Sequence, residues 1–324
     1  MKTTVKQILL CISFFFTLIS CNSPKQKYRL LHPAIDGEWW QIAGNPDLGA
    51  LTSDEQQPVD FGIWQAADGT WQLWSCIRKT KETGKTRLFH RWEGKSLFDK
   101  NWEPLGIAMR ADTTLGEEAG GMQAPYVLTY QNKYLMFYGD WNRICLAESE
   151  DGKHFQRVLH DGSPALFGDP SETNTRDAMV LRKNRQWYCF YTAHPNMDGK
   201  VFLRTSQDLS NWSQSMVVAY GGQAGKGKLW FAECPFVTEP ESGNYYLFRT
   251  QSYGSAESPP KTSIYHSTDL TYFGVDDDSG FVGTLEVAAP EVFKFENKWY
   301  IAALMPDLKG IRVARLSWIP AEEN

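Results

Sequence analysis

The sequence predicts an all-β protein that folds as a single five-bladed β-propeller, and three observations support this prediction. First, five apolar runs begin near the anchor residues Asp60, Ala124, Asp177, Cys234 and Ala289, which are 64, 53, 57 and 55 residues apart. Second, an aromatic residue follows each anchor after 10 or 11 positions. Third, 14% of the residues are aromatic, and aromatic side chains pack well on pleated sheets. A repeat of this length, without a convincing amphipathic helix, is typical of propellers.

Each repeat contains three segments that read as strands. The apolar run at the anchor is followed by turn residues, by an aromatic segment such as "QWYCFYTA", and by a third segment such as "KVFLRTS". Apolar segments joined by short turns predict antiparallel hairpins. An open β-sandwich is the alternative, but it does not explain the fixed distance from anchor to aromatic residue. The last repeat lacks a fourth strand, so we expect the N-terminal "GEWWQIAG" to close the ring or to plug one end.

A Ser-x-Asp motif follows the third strand in three repeats, with an aromatic residue six positions after the serine. The three copies are Ser149/Asp151/Phe155, Ser206/Asp208/Trp212 and Ser267/Asp269/Phe273. Serine and aspartate side chains can hold a turn by accepting hydrogen bonds from nearby backbone N–H groups. We therefore interpret these aspartates as turn supports and not as catalytic residues.

The N-terminal residues have the pattern of a lipoprotein signal peptide. Residues 1–21 combine Lys2 and Lys6 with an apolar stretch too short to span a bilayer comfortably, and they end in "LISC". We expect Cys21 to be lipidated, residues 22–34 to form a tether, and residues 35–324 to form the propeller. An ordinary signal peptide or an uncleaved anchor remains an alternative. The predicted location is the bacterial cell envelope, with membrane contact through the lipid anchor only.

Charge and cysteine content exclude several classes of function. The net charge is −5 and no Lys/Arg cluster stands out, so a nucleic-acid partner is not expected. Removing residues 1–21 leaves 31 basic and 38 acidic residues, a net charge of −7. The remaining cysteines, at positions 76, 145, 189 and 234, show no CxxC spacing, so no zinc site is predicted. We expect a monomer without a metal or cofactor.

Three carboxylates stand at the mouths of repeats: Asp60, Asp177 and Glu233. The innermost strands of a propeller line a central channel, so these side chains are expected to converge there. Aspartate is disfavoured on strands, and neighbouring carboxylates raise each other's pKa. Natural sequences keep such local conflicts mostly where function requires them. Paired carboxylates are what glycoside cleavage requires, with one acting as an acid and one as a base or nucleophile.

The order of these motifs resembles the five-bladed glycoside hydrolases of families 43 and 32. Asp60-Phe61 is similar to their first Asp-Pro element, Arg176-Asp177-Ala178 resembles the Arg-Asp-Pro motif of family 32, and Glu233-Cys234-Pro235 matches its Glu-Cys-Pro motif. The resemblance implies an enzyme acting on oligo- or polysaccharides, with Glu233 as the general acid and Asp60 as the ionised partner. Asp177 is expected to orient the sugar and to tune the pKa of Glu233.

The family 43 side of the resemblance implies inversion of the anomeric configuration and exo-action on furanosides or pentosides. The alternatives are a retaining β-fructosidase similar to family 32 and a surface propeller that binds glycans without cleaving them. Predicted substrate contacts are Trp64, Gln123, Trp141, Arg176, Trp230 and Arg249, with Trp40 as a further stacking candidate and His194 as a residue near the channel. Residues 104–122 and 215–231 are expected to shape the pocket.

Overall fold

The computed structural model describes residues 30–255 and 257–321. These residues form five antiparallel sheets, each of which is one blade of a β-propeller. The prediction of an all-β, five-bladed, single-domain fold is confirmed. Apart from strands, the described chain contains four single-turn 3₁₀ helices, at Gly49–Leu51, Thr113–Leu115, Pro195–Met197 and Gly222–Ala224.

The first four blades follow the chain in order, and in each the first strand is the innermost. Blade one comprises β2 (Gln57–Gln65), β3 (Trp71–Arg78), β4 (Leu88–Gly94) and β5 (Glu103–Met109). Blade two comprises β6 (Gln123–Tyr130), β7 (Lys133–Gly139), β8 (Ile144–Ser149), β9 (Gln156–Arg157) and β10 (Ala165–Phe167). Blade three comprises β11 (Arg176–Lys183), β12 (Gln186–Ala193), β13 (Lys200–Ser206) and β14 (Met216–Ala219). Blade four comprises β15 (Glu233–Glu241), β16 (Asn244–Ser252), β17 (Lys261–Ser267) and β18 (Phe281–Leu285).

Blade five joins the two ends of the chain. It comprises β19 (Glu291–Phe295), β20 (Lys298–Leu304), β21 (Gly310–Pro320) and, as its outermost strand, β1 (Leu31–Gly44). The segment "GEWWQIAG" lies in β1, so of the two expectations for it the structure confirms ring closure. Because Leu31 is buried and already pairs with Pro320, residues 31–34 belong to the propeller and not to the predicted tether.

Aromatic side chains fill the spaces between blades. Trp71 of blade one contacts Phe295 of blade five edge to face, with ring centroids 5.1 Å apart. Tyr130 of blade two meets Trp187 of blade three at 4.8 Å. Edge-to-face contacts add stabilisation beyond the buried area. The aromatic residues 10 or 11 positions after the anchors, which include Trp71 and Trp187, are therefore packing residues.

The Ser-x-Asp motifs form turns, as predicted. Asp208 Oδ1 accepts hydrogen bonds from the backbone N–H groups of Ser210 and Asn211, and Ser206 Oγ accepts one from Leu209. Asp151 and Asp269 accept backbone N–H groups in the same way. The aromatic residue at the end of the motif packs inward, as Phe273 does against Phe190.

All five anchors have left-handed backbone conformations. Their φ angles are 38° at Asp60, 42° at Ala124, 57° at Asp177, 47° at Cys234 and 47° at Ala289. In blades one to four, the pairing of the inner strand with its neighbour breaks at the anchor, as in a β-bulge. A left-handed non-glycine residue costs roughly 1–2 kcal/mol, and a bulge re-aims side chains. The repeated bulge thus turns each anchor towards the centre of the ring.

Candidate active site

The bulges lie at one end of the inner strands, beneath a cavity of about 650 Å³. Asp60 and Glu233 form part of its floor, and the walls come from the loops at this end of the blades. The other lining residues are Arg78, Arg87, Trp141, Asn174, Arg176, His194, Met197, Leu229, Trp230, Ser252, Tyr253 and Gly254. A much smaller cavity of about 30 Å³ lies along the central channel, among all five anchors.

The bulges of blades three and four each contribute two neighbouring positions to the site. At the anchor position, a carboxylate oxygen of Asp60, a carboxylate oxygen of Asp177 and the Sγ of Cys234 lie within 4.8 Å of one another. Glu233 comes one residue before its anchor, at the position that Arg176 occupies in blade three. The three predicted catalytic carboxylates therefore lie close together. Asp60 and Asp177 occupy the anchor positions of their blades, and Glu233 occupies the position just before an anchor.

Tyr253 links the two carboxylates to which catalytic roles were assigned. Its hydroxyl lies 2.7 Å from Asp60 Oδ1 and 3.1 Å from Glu233 Oε2. Burial, together with the charge of Asp60, raises the pKa of Tyr253 well above its usual value, so the hydroxyl keeps its proton. Because a hydroxyl has one hydrogen, Tyr253 can donate to only one of the two carboxyl groups at a time. The tyrosine therefore couples Asp60 to Glu233 through one shared donor.

The same two distances limit the separation of the carboxylates. Oxygens that contact one hydroxyl at 2.7 and 3.1 Å can be no farther apart than the sum of the two distances, about 6 Å. That limit applies to the two oxygens that face the hydroxyl, and for this pair it lies near the roughly 5–5.5 Å of retaining glycosidases.

Arg176 joins Glu233 to Asp177. Its guanidinium donates to Glu233 Oε1 and to the carbonyl of Asn174, and its Nε lies 3.6 Å from Asp177 Oδ2. Burial raises the pKa of Asp177 to about 7, and the charges of Asp60 and Glu233 act in the same direction. Arg176 and the Cys234 N–H, which donates to Asp177 Oδ2 at 3.1 Å, oppose this shift.

The grouping of Asp60, Asp177 and Cys234 has the composition of a possible metal site, which the sequence did not predict. Its hydrogen bonding suits another role. Burial raises the pKa of the Cys234 thiol well above its usual value, and the charges of Asp177 and Asp60 add to this effect. The protonated thiol donates to Asp60 Oδ1 at 3.2 Å, and a protonated thiol is a poor metal ligand. The group therefore holds Asp60 in place through hydrogen bonds.

Three of the predicted substrate contacts line the cavity: Trp141, Arg176 and Trp230. Trp230 is 43% exposed, so its ring is available to a ligand. His194 also lines the cavity, and burial, together with the charge of Arg176, lowers its pKa.

The other predicted contacts lie elsewhere, and their interactions explain why. Trp64 is a core residue: its indole N–H donates to the Gly152 carbonyl, and its ring packs against Trp74 and Phe155. Trp40, on β1 of blade five, donates to the Leu97 carbonyl in the β4–β5 loop of blade one, and Gln123 is fully buried beside the channel and outside the cavity lining.

Arg249 was also predicted to contact substrate, but it is a scaffold residue. Its three guanidinium nitrogens donate to the carbonyls of Phe231, Gly221 and Gly225, at 2.6, 3.2 and 3.1 Å. It therefore fixes the loop that carries Trp230. This contribution to the cavity is indirect.

Sequence reasoning missed Arg78, Arg87 and Tyr253 among the cavity residues. The repeat itself held the signal for two of them. Arg78, Trp141, His194 and Tyr253 all lie 17 to 19 positions after their anchors, just where the second strand of a blade ends, and all four line the cavity. The predictions from sequence include Trp141 and His194 but not the two equivalent residues, Arg78 and Tyr253.

The chain matches a known protein family over more than half of its length. The family model described as the N-terminal domain of glycosyl hydrolases family 32 matches residues 67–247, more than half of the chain. The chain belongs to this family. This glycosyl hydrolase contains Asp177 and Glu233 within the matched range, whereas Asp60 lies just before it. None of the curated protein sequences compared with this glycosyl hydrolase matches it significantly.

Solved structures similar to this glycosyl hydrolase come from families 32 and 43. An endo-arabinase from Bacteroides thetaiotaomicron has a TM-score of 0.60 at 13% identity, over 88% of this chain and 98% of that one. A sucrose-6-phosphate hydrolase from Lactobacillus gasseri has a TM-score of 0.60 at 13% identity, over 88% and 62%. The family 32 β-fructofuranosidase of Bombyx mori has a TM-score of 0.57 at 16% identity, over 90% and 65%. At these identities the similarity shows the fold.

The predicted enzyme class, a glycoside hydrolase, is thereby confirmed. The predicted signal peptide and the lipidation of Cys21 fall outside the described residues. Within residues 30–255 and 257–321, no helix has the length and apolar character needed to cross a membrane.

Proposed function

We propose that this protein is a retaining, exo-acting glycoside hydrolase of furanosides, with Asp60 as nucleophile and Glu233 as general acid and base. The observation that carries the proposal is the Tyr253 hydroxyl that contacts both carboxylates. It supports a separation of about 6 Å or less, where direct attack is favoured over attack by an intervening water. The inversion expected from the resemblance to family 43 is not supported by this geometry.

The proposed reaction has two steps. Glu233 gives its proton to the glycosidic oxygen while Asp60 attacks the anomeric carbon, so the leaving group departs as an alcohol and a glycosyl ester of Asp60 forms. Glu233, now ionised, then removes a proton from water. The water oxygen attacks the anomeric carbon, displaces the Asp60 carboxylate and restores the starting protonation state.

Asp177 and Arg176 have supporting roles in this proposal. Asp177 is buried next to Asp60 and lines the small channel cavity instead of the larger one, so it acts through Asp60 and Arg176 and not by direct contact with the sugar. Arg176 holds Glu233 through one oxygen and leaves the other facing Tyr253. Fixing the acid in this way reduces the reorganisation that proton transfer requires.

Two observations support the choice of substrate. Proteins of similar structure include an endo-arabinase, an α-L-arabinofuranosidase and a β-fructofuranosidase, of which the last two act on furanosides. The cavity of about 650 Å³ falls within the roughly 300–1,000 Å³ that encloses a small ligand. A cavity of this size suits the end of an oligosaccharide.

Replacing either reacting carboxylate tests the assignment. We expect Glu233→Gln and Asp60→Asn each to lower kcat at least about 10²-fold, a typical contribution for a positioned acid or base, without lowering the melting temperature. The measurement is hydrolysis of aryl furanosides. Asp161→Asn is the matched control, because Asp161 lies in an exposed turn. Near-normal turnover by either site variant would remove that residue from the mechanism.

The stereochemical outcome tests the nucleophilic role of Asp60. Proton NMR of the first product should show net retention, and the glycosyl ester on Asp60 should be detectable by mass spectrometry after rapid acid quench. Inverted product would show that Asp60 activates a water instead. The separation of Asp60 and Glu233 is well inside the catalytic range, which disfavours the alternative of a propeller that binds glycans without cleaving them.

We also propose that the chain is anchored to the bacterial cell envelope through Cys21. The support is the sequence "LISC" after a basic and apolar N-terminal stretch. Metabolic labelling with a fatty acid should tag the natural chain and not Cys21→Ala. Equal labelling of both chains would refute the anchor and leave the catalytic assignment untouched.

A further inference from the structure

The walls of the cavity carry more positive charge than the reacting groups require. Three arginines line it: Arg78, Arg87 and Arg176. Arg176 is engaged by Glu233 and lies near Asp177. Among the described residues, no carboxylate forms a salt bridge with Arg78 or Arg87, whereas arginines behind the site, such as Arg143 and Arg157, pair with Asp140 and Glu117.

Neutral groups hold the two wall arginines in place. Arg78 Nε donates to Gln57 Oε1 at 2.9 Å, and its guanidinium carbon lies 5.5 Å from the centre of the Tyr253 ring. The guanidinium of Arg87 lies 5.1 Å from the centre of the Trp141 ring. Amide and aromatic contacts orient a guanidinium without neutralising its charge.

The two arginines also face each other across one hairpin. Ile77 pairs with Leu88 in the β3–β4 ladder, so Arg78 and Arg87 occupy the next opposite positions. Like charges directly opposite in a sheet are destabilising. In addition, Lys85 Nζ lies 4.9 Å from the centre of the same Trp141 ring, which adds a third cation to this wall. Unrelieved conflicts of this kind occur mostly where function requires them.

We propose that Arg78 and Arg87 bind an anionic substituent of the substrate: a carboxylate, sulfate or phosphate carried by the sugar or its neighbour. A guanidinium fork matches the oxygens of all three groups. Since Arg78 is separated from Asp60 and Glu233 only by Tyr253, the anion lies within about one sugar ring of the bond that is cleaved. This inference rests on the proposed function, because it describes the substrate of the same site.

The test uses pairs of furanoside-containing oligosaccharides that differ in one group: sulfated or not, phosphorylated or not, and a uronic acid against its methyl ester. Binding is measured by calorimetry with Glu233→Gln, which binds without turning over. In one pair, the anionic member should bind at least roughly tenfold more tightly, as charge-assisted hydrogen bonds predict, and added salt should reduce the difference. The pair that responds identifies the anion.

The same titrations with Arg78→Gln/Arg87→Gln added should abolish the preference, while Arg185→Gln should retain it. Arg185 lies in the β11–β12 turn, at the opposite end of the strands from the site. Thermal melts of each variant separate lost binding from lost folding. Equal binding of both members in every pair, or a preference that survives the double substitution, would overturn the proposal.

Hydrolysis of the same pairs by the natural protein separates this inference from the proposed function. Retaining hydrolysis of neutral and anionic members with equal efficiency would leave the enzyme assignment intact and remove the anion site. A preference for the anionic member that depends on the arginines, without hydrolysis, would establish the anion site and refute the catalytic proposal.

Discussion

At the scale of single residues, a few hydrogen-bond donors hold the two carboxyl groups of the site, Asp60 and Glu233, in place. Tyr253 and Cys234 both direct hydrogens at Asp60 Oδ1, which fixes the orientation of this carboxyl group. Glu233 shares the Tyr253 hydroxyl and also accepts from Arg176. Each group is fixed by another that does not itself react, so Tyr253 is a positioning residue.

Removing only the hydroxyl of Tyr253 should expose this role. Tyr253→Phe takes a donor from Asp60 and a partner from Glu233, and hydrogen bonds to charged groups contribute about 1.5–3 kcal/mol. We expect a fall in kcat of roughly 10- to 100-fold, a displaced pH profile of kcat/KM, and a lower melting temperature that still leaves the protein folded at the assay temperature. Tyr188→Phe is the control, since the Tyr188 hydroxyl makes no hydrogen bond to a described residue. An unchanged pH profile would show that Tyr253 only fills space.

Asp177 should make stability depend on pH. Burial raises its pKa from 3.8 to about 7 in the folded protein, so between these values the folded state holds a proton that the unfolded state has lost. The free energy of unfolding must therefore fall as pH rises through this window. Asp177→Asn, which cannot ionise, should remove that slope and raise stability at pH 8 by on the order of 2–4 kcal/mol.

Urea unfolding of Asp177→Asn and of the natural chain at several pH values measures this effect. Arg176 keeps its contact with Glu233 in the variant, so no cation is left without a partner. Parallel curves for the two proteins would contradict the buried, protonated state of Asp177. Turnover should fall in the same variant, as expected where a destabilised group is kept for function.

At the scale of strands, the inner bulges do the positioning. Asp60, Asp177 and Cys234 adopt left-handed backbone conformations, and this brings side chains from three blades within 4.8 Å of one another. In four of the five blades, a bulge breaks the ladder at the same place in the repeat. Strain that recurs at equivalent positions is a property of the fold that the site uses.

The close packing of blades one and two behind the first bulge allows a test at this scale. Gly62 lies on β2, two residues after Asp60, and an added Cβ would lie 2.6 Å from the carbonyl oxygen of Pro125 in blade two. Gly62→Ala should push the two inner strands apart and cost about 1–3 kcal/mol in urea unfolding, with reduced activity because Asp60 moves. Gly44→Ala is the control, since its Cβ would meet only the Gln41 side chain, at 3.4 Å. Equal stability of the two variants would contradict this close packing.

At the scale of the whole molecule, β1 closes the ring. It pairs with β21 from Leu31–Pro320 to Gly44–Gly310, so the strands nearest the two ends of the described chain lie in one blade. Without β1, β21 would present an unpaired edge, and exposed edges favour aggregation. Closure also keeps the five inner strands converging on one channel.

Deleting residues 1–44 should therefore abolish cooperative folding and activity together. A synthetic peptide of residues 30–44 should restore part of both when it is present during refolding, because its partner strand is preserved in the shortened chain. Circular dichroism melts and hydrolysis assays follow the two properties. A shortened chain with an unchanged melting temperature would show that β1 is dispensable.

The sequence by itself determined the repeat, the blade count, the turn role of the Ser-x-Asp motifs and the three carboxylates, because these follow from spacing and residue type. It did not separate cavity residues from core residues. Trp64 and Trp230 both flank a carboxylate, yet one is buried against Phe155 and the other is exposed in the cavity. That distinction depends on which way a bulged strand or a loop turns, and only packing against neighbouring blades fixes it.

Tertiary structure also decided the relation among the charged groups. The contacts of Tyr253 with Asp60 and Glu233 join residues from blades one and four that are 193 and 20 positions away in the chain. Their separation, on which the choice between retention and inversion rests, is a property of the closed ring. The sequence does not distinguish the roles of Arg78, Arg87 and Arg249. Only their contacts show that Arg249 supports a loop, whereas the charges of Arg78 and Arg87 face the cavity.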